Sequence, residues 1–442
     1  MSLEKPATIE YLEDGVMEVK TEPLKRYVLG DKKIRRIYRR LRNYQIPEFR
    51  MKKDQEIYEN QNEFGDRICK RFEDKSILMV LAIAPTQSGK TGSMIASAIK
   101  MCQNKKIQQK KEKVYVITGF SSRDWVEQTK NRFPYGMDEN IYHRNTLDKF
   151  VEKVKNERDI FVMIDEVQYA CMPKQSLYKT FEKCGWISLE KMEQKNIKIL
   201  VVSATPDGIR ADLGTWSKGV VTEYMTPSNK YVSIEKLYKE GRVKPYKDLY
   251  DENEDYAKEN INELLCEISK IQEAKYHILR TKNAKAHEYI MKKIQEQNKK
   301  EKIISGLEIK SEMNVDMDKL FKEKPEKHTI ICIKEKLRCA QTLPKEHLGI
   351  VYERYTNSVN DSAIIQGLAG RMTGYHNNTD TVIFTNTNTV EKYVCMSRNW
   401  MRGDVEEEEE EDKITWMSNS TKKSGTKKTF LYVDVDETRI SQ

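Results

Sequence analysis

Residues Ala84, Pro85, Thr86, Gln87, Ser88, Gly89, Lys90 and Thr91 fit the pattern A/G-x-x-x-x-G-K-[ST]. A loop of this kind does one piece of chemistry, the wrapping of a polyphosphate in backbone N–H groups. Close approach of the backbone calls for glycine at Gly89, and a helix that starts there turns its positive end toward the same anion. Lys90 should reach the β and γ phosphates, and the Thr91 hydroxyl should ligate Mg2+. Ala84 stands where the usual first glycine would be. The loop follows the run ILMVLAIA over 77–84 and precedes helical spacing at Met94, Ile95, Ala98 and Met101. That is the strand–loop–helix setting the pattern requires.

A second group of candidates follows the apolar run at 160–164, where Asp165, Glu166, Val167 and Gln168 stand in order. Asp165 would hold the magnesium through water, and Glu166 would orient or deprotonate an attacking water. Two acids after a strand are also what an ordinary solvated turn looks like, so the pair gains meaning from the phosphate loop beside it. A third run leads into Ser203, Ala204, Thr205 and Pro206. The Ser203 and Thr205 hydroxyls could bond the neighbouring carboxylates and couple nucleotide state to loop position; the plainer alternative is a turn ended by Pro206.

The elements that must position these residues are spread along 442 residues. Apolar runs of strand length recur at 114–118, 160–164 and 199–203, and again at 276–279, 303–309, 329–333, 348–352 and 381–384. Helix-like or loop segments separate them, for example 284–297. Strands alternating with helices predict α/β units with parallel sheets flanked by helices. The expected division is a basic N-terminal extension over 1–54, a first α/β domain over 55–228, a helical connector over 229–270, a second α/β domain over 271–402 and an acidic, flexible tail over 403–442. Within the extension, Ile34, Ile37 and Leu41 alternate with four arginines at helical spacing, which suits either a docking helix or one that contacts phosphates.

Bulk properties narrow the class. Formal net charge is +9 despite the acidic run at 406–412, which is compatible with a polyanionic partner. No apolar run approaches the roughly 20 residues of a membrane helix, and the first residues lack the apolar core of a signal peptide. A soluble, intracellular protein with no membrane partner is expected. The eight cysteines form no C-x-x-C pair and read as reduced structural thiols.

A-P-T-Q-S-G-K-T, then D-E-V-Q, then S-A-T-P resembles motifs I, II and III of superfamily 2 helicases and translocases. The resemblance implies two RecA-like domains that share one ATP site, with ATP and Mg2+ as ligands. Thr118, Gly119, Ser121 and Ser122 fall where that family places motif Ia, which implies backbone contact with single-stranded or duplex DNA or RNA; Asp124, Trp125 and Gln128 continue it. Residues 329–343 are similar in position to motif V. Gln366-Gly367-Leu368-Ala369-Gly370-Arg371-Met372-Thr373-Gly374-Tyr375 resembles motif VI, with one extra residue before Gly370 and Gly374 where a second arginine is usual. Gln366 and Arg371 are then implied members of the site, Arg371 as the finger to the γ-phosphate, with Arg338 or Lys334 in reserve. Gln45 or Gln55 would read adenine, and Trp125 and Tyr375 are candidates for base stacking. The form of motif VI is most similar to helicase-like proteins of large DNA viruses and phages. The expected activity is an ATP-dependent nucleic-acid motor. A helicase-like nucleotide-binding scaffold or virion component, and the motor subunit of a nuclease complex, are the alternatives. The N-terminal extension or the C-terminal tail would carry contacts to protein partners.

Overall fold

The structure, a computed structural model, describes residues 8–11, 17–20, 49–52, 55–121, 123–166, 175–204, 219–312, 317–334, 343–357, 361–376, 378 and 380–402. The expected basic helix, Gln45, Ser122, Gln168, Thr205, Arg338 and the acidic tail lie outside these residues. The chain divides into two units, 1–48 and 49–442. In the first, β1 (Thr8–Tyr11) and β2 (Met17–Lys20) form an antiparallel pair.

The second unit holds two six-stranded sheets, each parallel throughout. This is the architecture expected for a pair of RecA-like domains. The first sheet contains β3 (Met79–Ile83), β4 (Val114–Thr118), β5 (Ile141–Tyr142), β6 (Ile160–Asp165), β7 (Ile197–Ser203) and β8 (Val220–Tyr224). Their order is β5-β4-β6-β7-β3-β8. Every residue of β3, β4, β6 and β7 is buried, which is why these strands read as unbroken apolar runs. Alternate residues serve opposite faces. Val80, Ala82, Val116, Met163 and Val202 pack on α1 (Glu59–Glu73) and α2 (Lys90–Gln103) through Phe64, Ile68, Phe72, Met94 and Met101. Leu81, Ile117, Ile164 and Val201 pack the other way, on Leu147, Phe150, Leu177 and Phe181.

Register decides where the site falls. Ile83 is opposite Ser203, Asp165 is opposite Val202, and Thr118 is opposite Asp165. The carboxyl ends of four neighbouring strands therefore form one rim, the position at which open α/β sheets bind ligands. Helix α1 approaches α2 closely enough that a Cβ on Gly65 would stand 2.9 Å from the Ala96 carbonyl carbon.

The second sheet contains β9 (Val243–Pro245), β10 (Tyr276–Arg280), β11 (Glu308–Ser311), β12 (Thr329–Ile333), β13 (Leu348–Tyr352) and β14 (Val382–Thr385), in the order β11-β12-β10-β13-β14-β9. Strand β9 lies within the stretch expected to be a helical connector and closes one edge of this sheet. The run at 303–309 is a strand only from Glu308, because Gly306 turns the chain at a φ of 67°. No described helix is long and apolar enough to cross a membrane.

His277 of β10 and His328, just before β12, form a histidine relay. His277 Nδ1 accepts from the Ile350 N–H at 3.1 Å, so the proton sits on Nε2, 3.0 Å from His328 Nδ1; His328 Nε2 then donates to the Ile271 carbonyl at 3.1 Å. Every ring nitrogen is used only if both rings are neutral. Burial, reinforced by His328, pushes His277 down to about 3. The unfolded chain then binds a proton that the folded chain refuses below about pH 6.5, and stability is lost as pH falls from there. Urea unfolding should lose about 1 kcal/mol between pH 7 and 5.5, and His277→Gln should flatten that dependence.

Candidate active site

The phosphate loop leaves β3 and runs into α2 at Lys90. Its backbone is held in uncommon conformations: Gly89 has a φ of 95° and Gln87, a non-glycine, 57°. Ala84 N donates to the Ser203 carbonyl at 2.9 Å, so the loop's first residue is fastened to the end of β7. Glu166, just past β6, also has a positive φ, 53°, with its N–H on the Val202 carbonyl at 3.2 Å. Left-handed non-glycine residues cost of order 1–3 kcal/mol each and gather where a site holds its backbone in place.

Lys90 Nζ and Glu166 Oε1 form an ion pair of 2.5 Å. Burial alone would lower the lysine, but Glu166 and Asp165 more than offset it, and Lys90 titrates above its ordinary value. Asp165 is pushed up to about 6 by burial and then by Glu166, against the pull of Lys90 and Trp125. Its Oδ2 accepts the Trp125 indole N–H at 2.9 Å, whereas its Oδ1 is buried with no hydrogen-bond partner among the described residues. Such an oxygen, in a cavity that Thr91 also lines, fits a hard cation. No group of three or more His, Cys, Asp or Glu that could hold a metal exists among the described residues. Mg2+ needs no such cage, because it is commonly held by one or two protein oxygens together with phosphate and water.

The second sheet supplies the opposite wall. Residues 361–366 and 368–371 form two short helices, and the segment after them lies directly on the phosphate loop. Thr373 Oγ1 is 2.9 Å from the Thr86 carbonyl and 3.0 Å from the Thr86 hydroxyl. Tyr231 donates to the same carbonyl at 2.6 Å, and Tyr375 donates to the Ser88 carbonyl at 3.3 Å. Gly374 and Val232 exchange two backbone hydrogen bonds of 2.9 Å. Gly374 has a φ of 112°, and a Cβ there would stand 2.9 Å from Gln87 Cβ. The backbone here touches the loop where a side chain would have to begin. Gly370 is equally tight, with an added Cβ 2.1 Å from the Ile365 carbonyl and 3.1 Å from Thr86 Cγ2. Behind this segment, the buried Arg280–Glu353 pair at 2.7 Å supports the turn, since Glu353 Oε2 also accepts the Leu368 N–H. Buried Lys345 donates to the Thr373 carbonyl; burial, then Arg371, pushes it down to about 8.

One cavity of about 1360 Å³ brings together Thr86, Gln87, Gly89, Lys90, Thr91, Asp165 and Glu166 from the first sheet and Gln366 and Arg371 from the second. Ala84, Pro85 and Ser88 shape the loop from below, all buried. Ser203 is buried at the end of β7. The motif Ia residues are placed elsewhere and unequally. Thr118 is wholly buried and its hydroxyl accepts from the Phe120 N–H at 3.2 Å, so it shapes the loop instead of facing outward. Gly119 is buried; Ser121 is exposed and bonded to Asn145 at 3.1 Å. Trp125 is buried against Asp165, which removes it as a platform for stacking bases. Tyr375 packs edge-on against Tyr231 at 5.5 Å beside the phosphate loop. Lys334 lies outside the cavity lining, where Arg371 is present.

Sequence reading missed Gln61. Its amide donates to the Gly89 carbonyl at 3.2 Å, its oxygen accepts from the Tyr58 N–H at 3.0 Å, and it fills the space above both Gly89 and Gly92. Gln55 lines the same cavity without these bonds to the loop. The available signal was Gly92, a glycine in the first turn of a helix, where it is costly unless something must come close.

No family model matches the chain. An uncharacterized protein, L594, of Acanthamoeba polyphaga mimivirus is 26% identical over 339 residues, covering 72% of this chain and 82% of that protein. Among solved structures, S. cerevisiae Dbp5 bound to RNA and ADP BeF3 aligns over 81% of this chain and 85% of its own, at 12% identity and a TM-score of 0.36. The DUF1998 helicase MrfA bound to DNA aligns over 80% and 52%, at 13% identity and a TM-score of 0.40.

The tight approach of Gly374 can be checked directly. Gly374→Arg should lower the free energy of unfolding by at least about 1–2 kcal/mol, from backbone strain and the clash with Gln87, whereas Thr373→Val should cost about 1 kcal/mol from its lost hydrogen bonds. Chemical denaturation of both variants against the wild type measures this.

Proposed function

We propose that this chain is an ATP-dependent nucleic-acid motor that hydrolyses ATP between its two sheets. The observation that carries the reading is the convergence of Lys90, Thr91, Asp165, Glu166, Gln366 and Arg371 on one cavity although they come from two separate sheets. The loop binds the triphosphate, with Lys90 directed to its β and γ phosphates. Thr91 and Asp165 would hold Mg2+, which when bound neutralises charge on the phosphates. Lys90 is also the partner of Glu166, so its turning to the phosphates releases that carboxylate to a water molecule. The water oxygen bonds to the γ-phosphorus as the bridging bond to ADP breaks, and Glu166 takes the water proton. Arg371 meets the charge that develops on the transferred group.

Motion follows from the same geometry. The Thr86–Thr373 and Tyr231–Thr86 bonds run from the phosphate loop to elements of the second sheet's half, and Tyr393 of the last helix (Thr387–Arg402) donates to the Ala204 carbonyl at 3.4 Å. A change at the γ-phosphate therefore reaches both walls of the cleft, the requirement for a cleft that opens and closes with the nucleotide. The basic balance of the chain and the exposed Ser121 at the end of β4 suit a sugar-phosphate backbone bound along that rim.

The close docking of Thr373 and Gly374 on the loop favours a second reading, in which the chain binds nucleotide as a scaffold and does not move along a strand. ATP-driven separation of an overhang duplex would exclude the scaffold.

Full-length protein should hydrolyse ATP, and single-stranded DNA or RNA should change the rate. Lys90→Ala should abolish turnover. Arg371→Ala should lower kcat by about 10²–10³ with a smaller effect on nucleotide binding. A wild-type protein with no ATPase on any strand would overturn the reading.

A further inference from the structure

We infer that Arg132 is a second phosphate-contacting arginine, supplied by the sheet that carries the phosphate loop and directed at the terminal phosphate of bound ATP. This rests on the ATPase reading above and adds to it a residue outside every motif that led to that reading.

Arg132 ends α3 (Arg123–Arg132). Trp125, Gln128, Thr129 and Arg132 follow the spacing i, i+3, i+4, i+7, one face of a helix, and all four line the cavity. The Trp125 indole bond to Asp165, at 2.9 Å, fixes that face toward the site. Two turns on, Arg132 Nη1 points at Thr91 Oγ1 from 3.4 Å. The guanidinium thus stands beside Thr91, the residue that follows the loop lysine.

Its surroundings leave its charge poorly balanced. The Thr91 contact is long for a hydrogen bond and its acceptor is neutral. No carboxylate lies within ion-pair distance of Arg132 among the described residues; Asp165 is near enough only to offset part of the burial that lowers the guanidinium. A largely buried cation without a paired anion costs free energy, and a planar fork of N–H donors recovers that cost best on a phosphate or carboxylate. Structural arginines in this chain look different: Arg280 lies 2.7 Å from Glu353, and Arg242 is held by Thr381, Asn378 and Glu240. Gly374 also leaves no room for a side chain at its own position on the opposite wall.

The test uses full-length protein with fluorescent ADP and a fluorescent non-hydrolysable ATP analogue in Mg2+, measured by equilibrium titration. Arg132→Met should weaken the triphosphate analogue at least about tenfold and ADP less than about twofold, and Arg132→Lys should recover part of the loss. The wild-type melting temperature should be kept in both variants. Equal weakening of both nucleotides, or no weakening of either, would overturn the assignment. If the wild type hydrolyses ATP while Arg132→Met binds the analogue normally, this inference alone fails; if the wild type neither hydrolyses ATP nor binds the analogue, the ATPase reading fails with it.

Discussion

Charge balance in the cleft is the constraint on which the rest of the site depends. Lys90, Arg132 and Arg371 share one cavity with two carboxylates, Asp165 and Glu166, and Lys345 stands near Arg371. Lys90 has a close ion pair with Glu166. Concentrated positive charge in a partly buried place is unfavourable by itself and becomes favourable when a polyanion enters. The rim formed by the carboxyl ends of β3, β4, β6 and β7 puts the acids beside the loop, while the hydroxyl bonds of Thr373 and Tyr231 bring the second sheet's cations close.

The two walls meet through very small contacts. Gly370 and Gly374 allow backbone to lie against Thr86 and Gln87, and two hydroxyls share the Thr86 carbonyl. Ile83, at the end of β3, belongs to the apolar cluster of the second sheet. The phosphate loop is therefore seated in both cores at once. A displacement of the loop disturbs packing in each, which is a physical route from chemistry at one phosphate to movement of a whole sheet.

The central strands were legible because a strand covered on both faces has to be apolar at every position; β4, β12 and β13 coincide with their apolar runs. The edges were not. Strand β8 is partly exposed along most of its length, β9 is three residues ending in Pro245, and β5 is two residues long, so none has the length or pattern that distinguishes a strand from a loop. In the site, the phosphate loop and the acidic pair announced themselves because their chemistry is local in sequence. Gln61 and Arg132 did not, and Trp125 was expected in another role, because each acquires its place only when helices from elsewhere in the chain pack over the loop. Gly374 was visible as a departure from a pattern, but its cause, the 2.9 Å approach to Gln87, belongs to tertiary structure.

The seat of Gln61 has a consequence for how this sequence can drift. Added Cβ atoms on Gly89 and Gly92 would each stand 2.4 Å from the Gln61 amide, whose two ends are held by the Gly89 carbonyl and the Tyr58 N–H. The amide could swing aside only by giving up both bonds. Gly92 is thus tied to a residue far upstream as closely as Gly89 is. Among descendants of this chain, a methyl group at position 92 and a shorter side chain at position 61 should appear together, so that G-K-T-G is inherited as one unit with its distant glutamine.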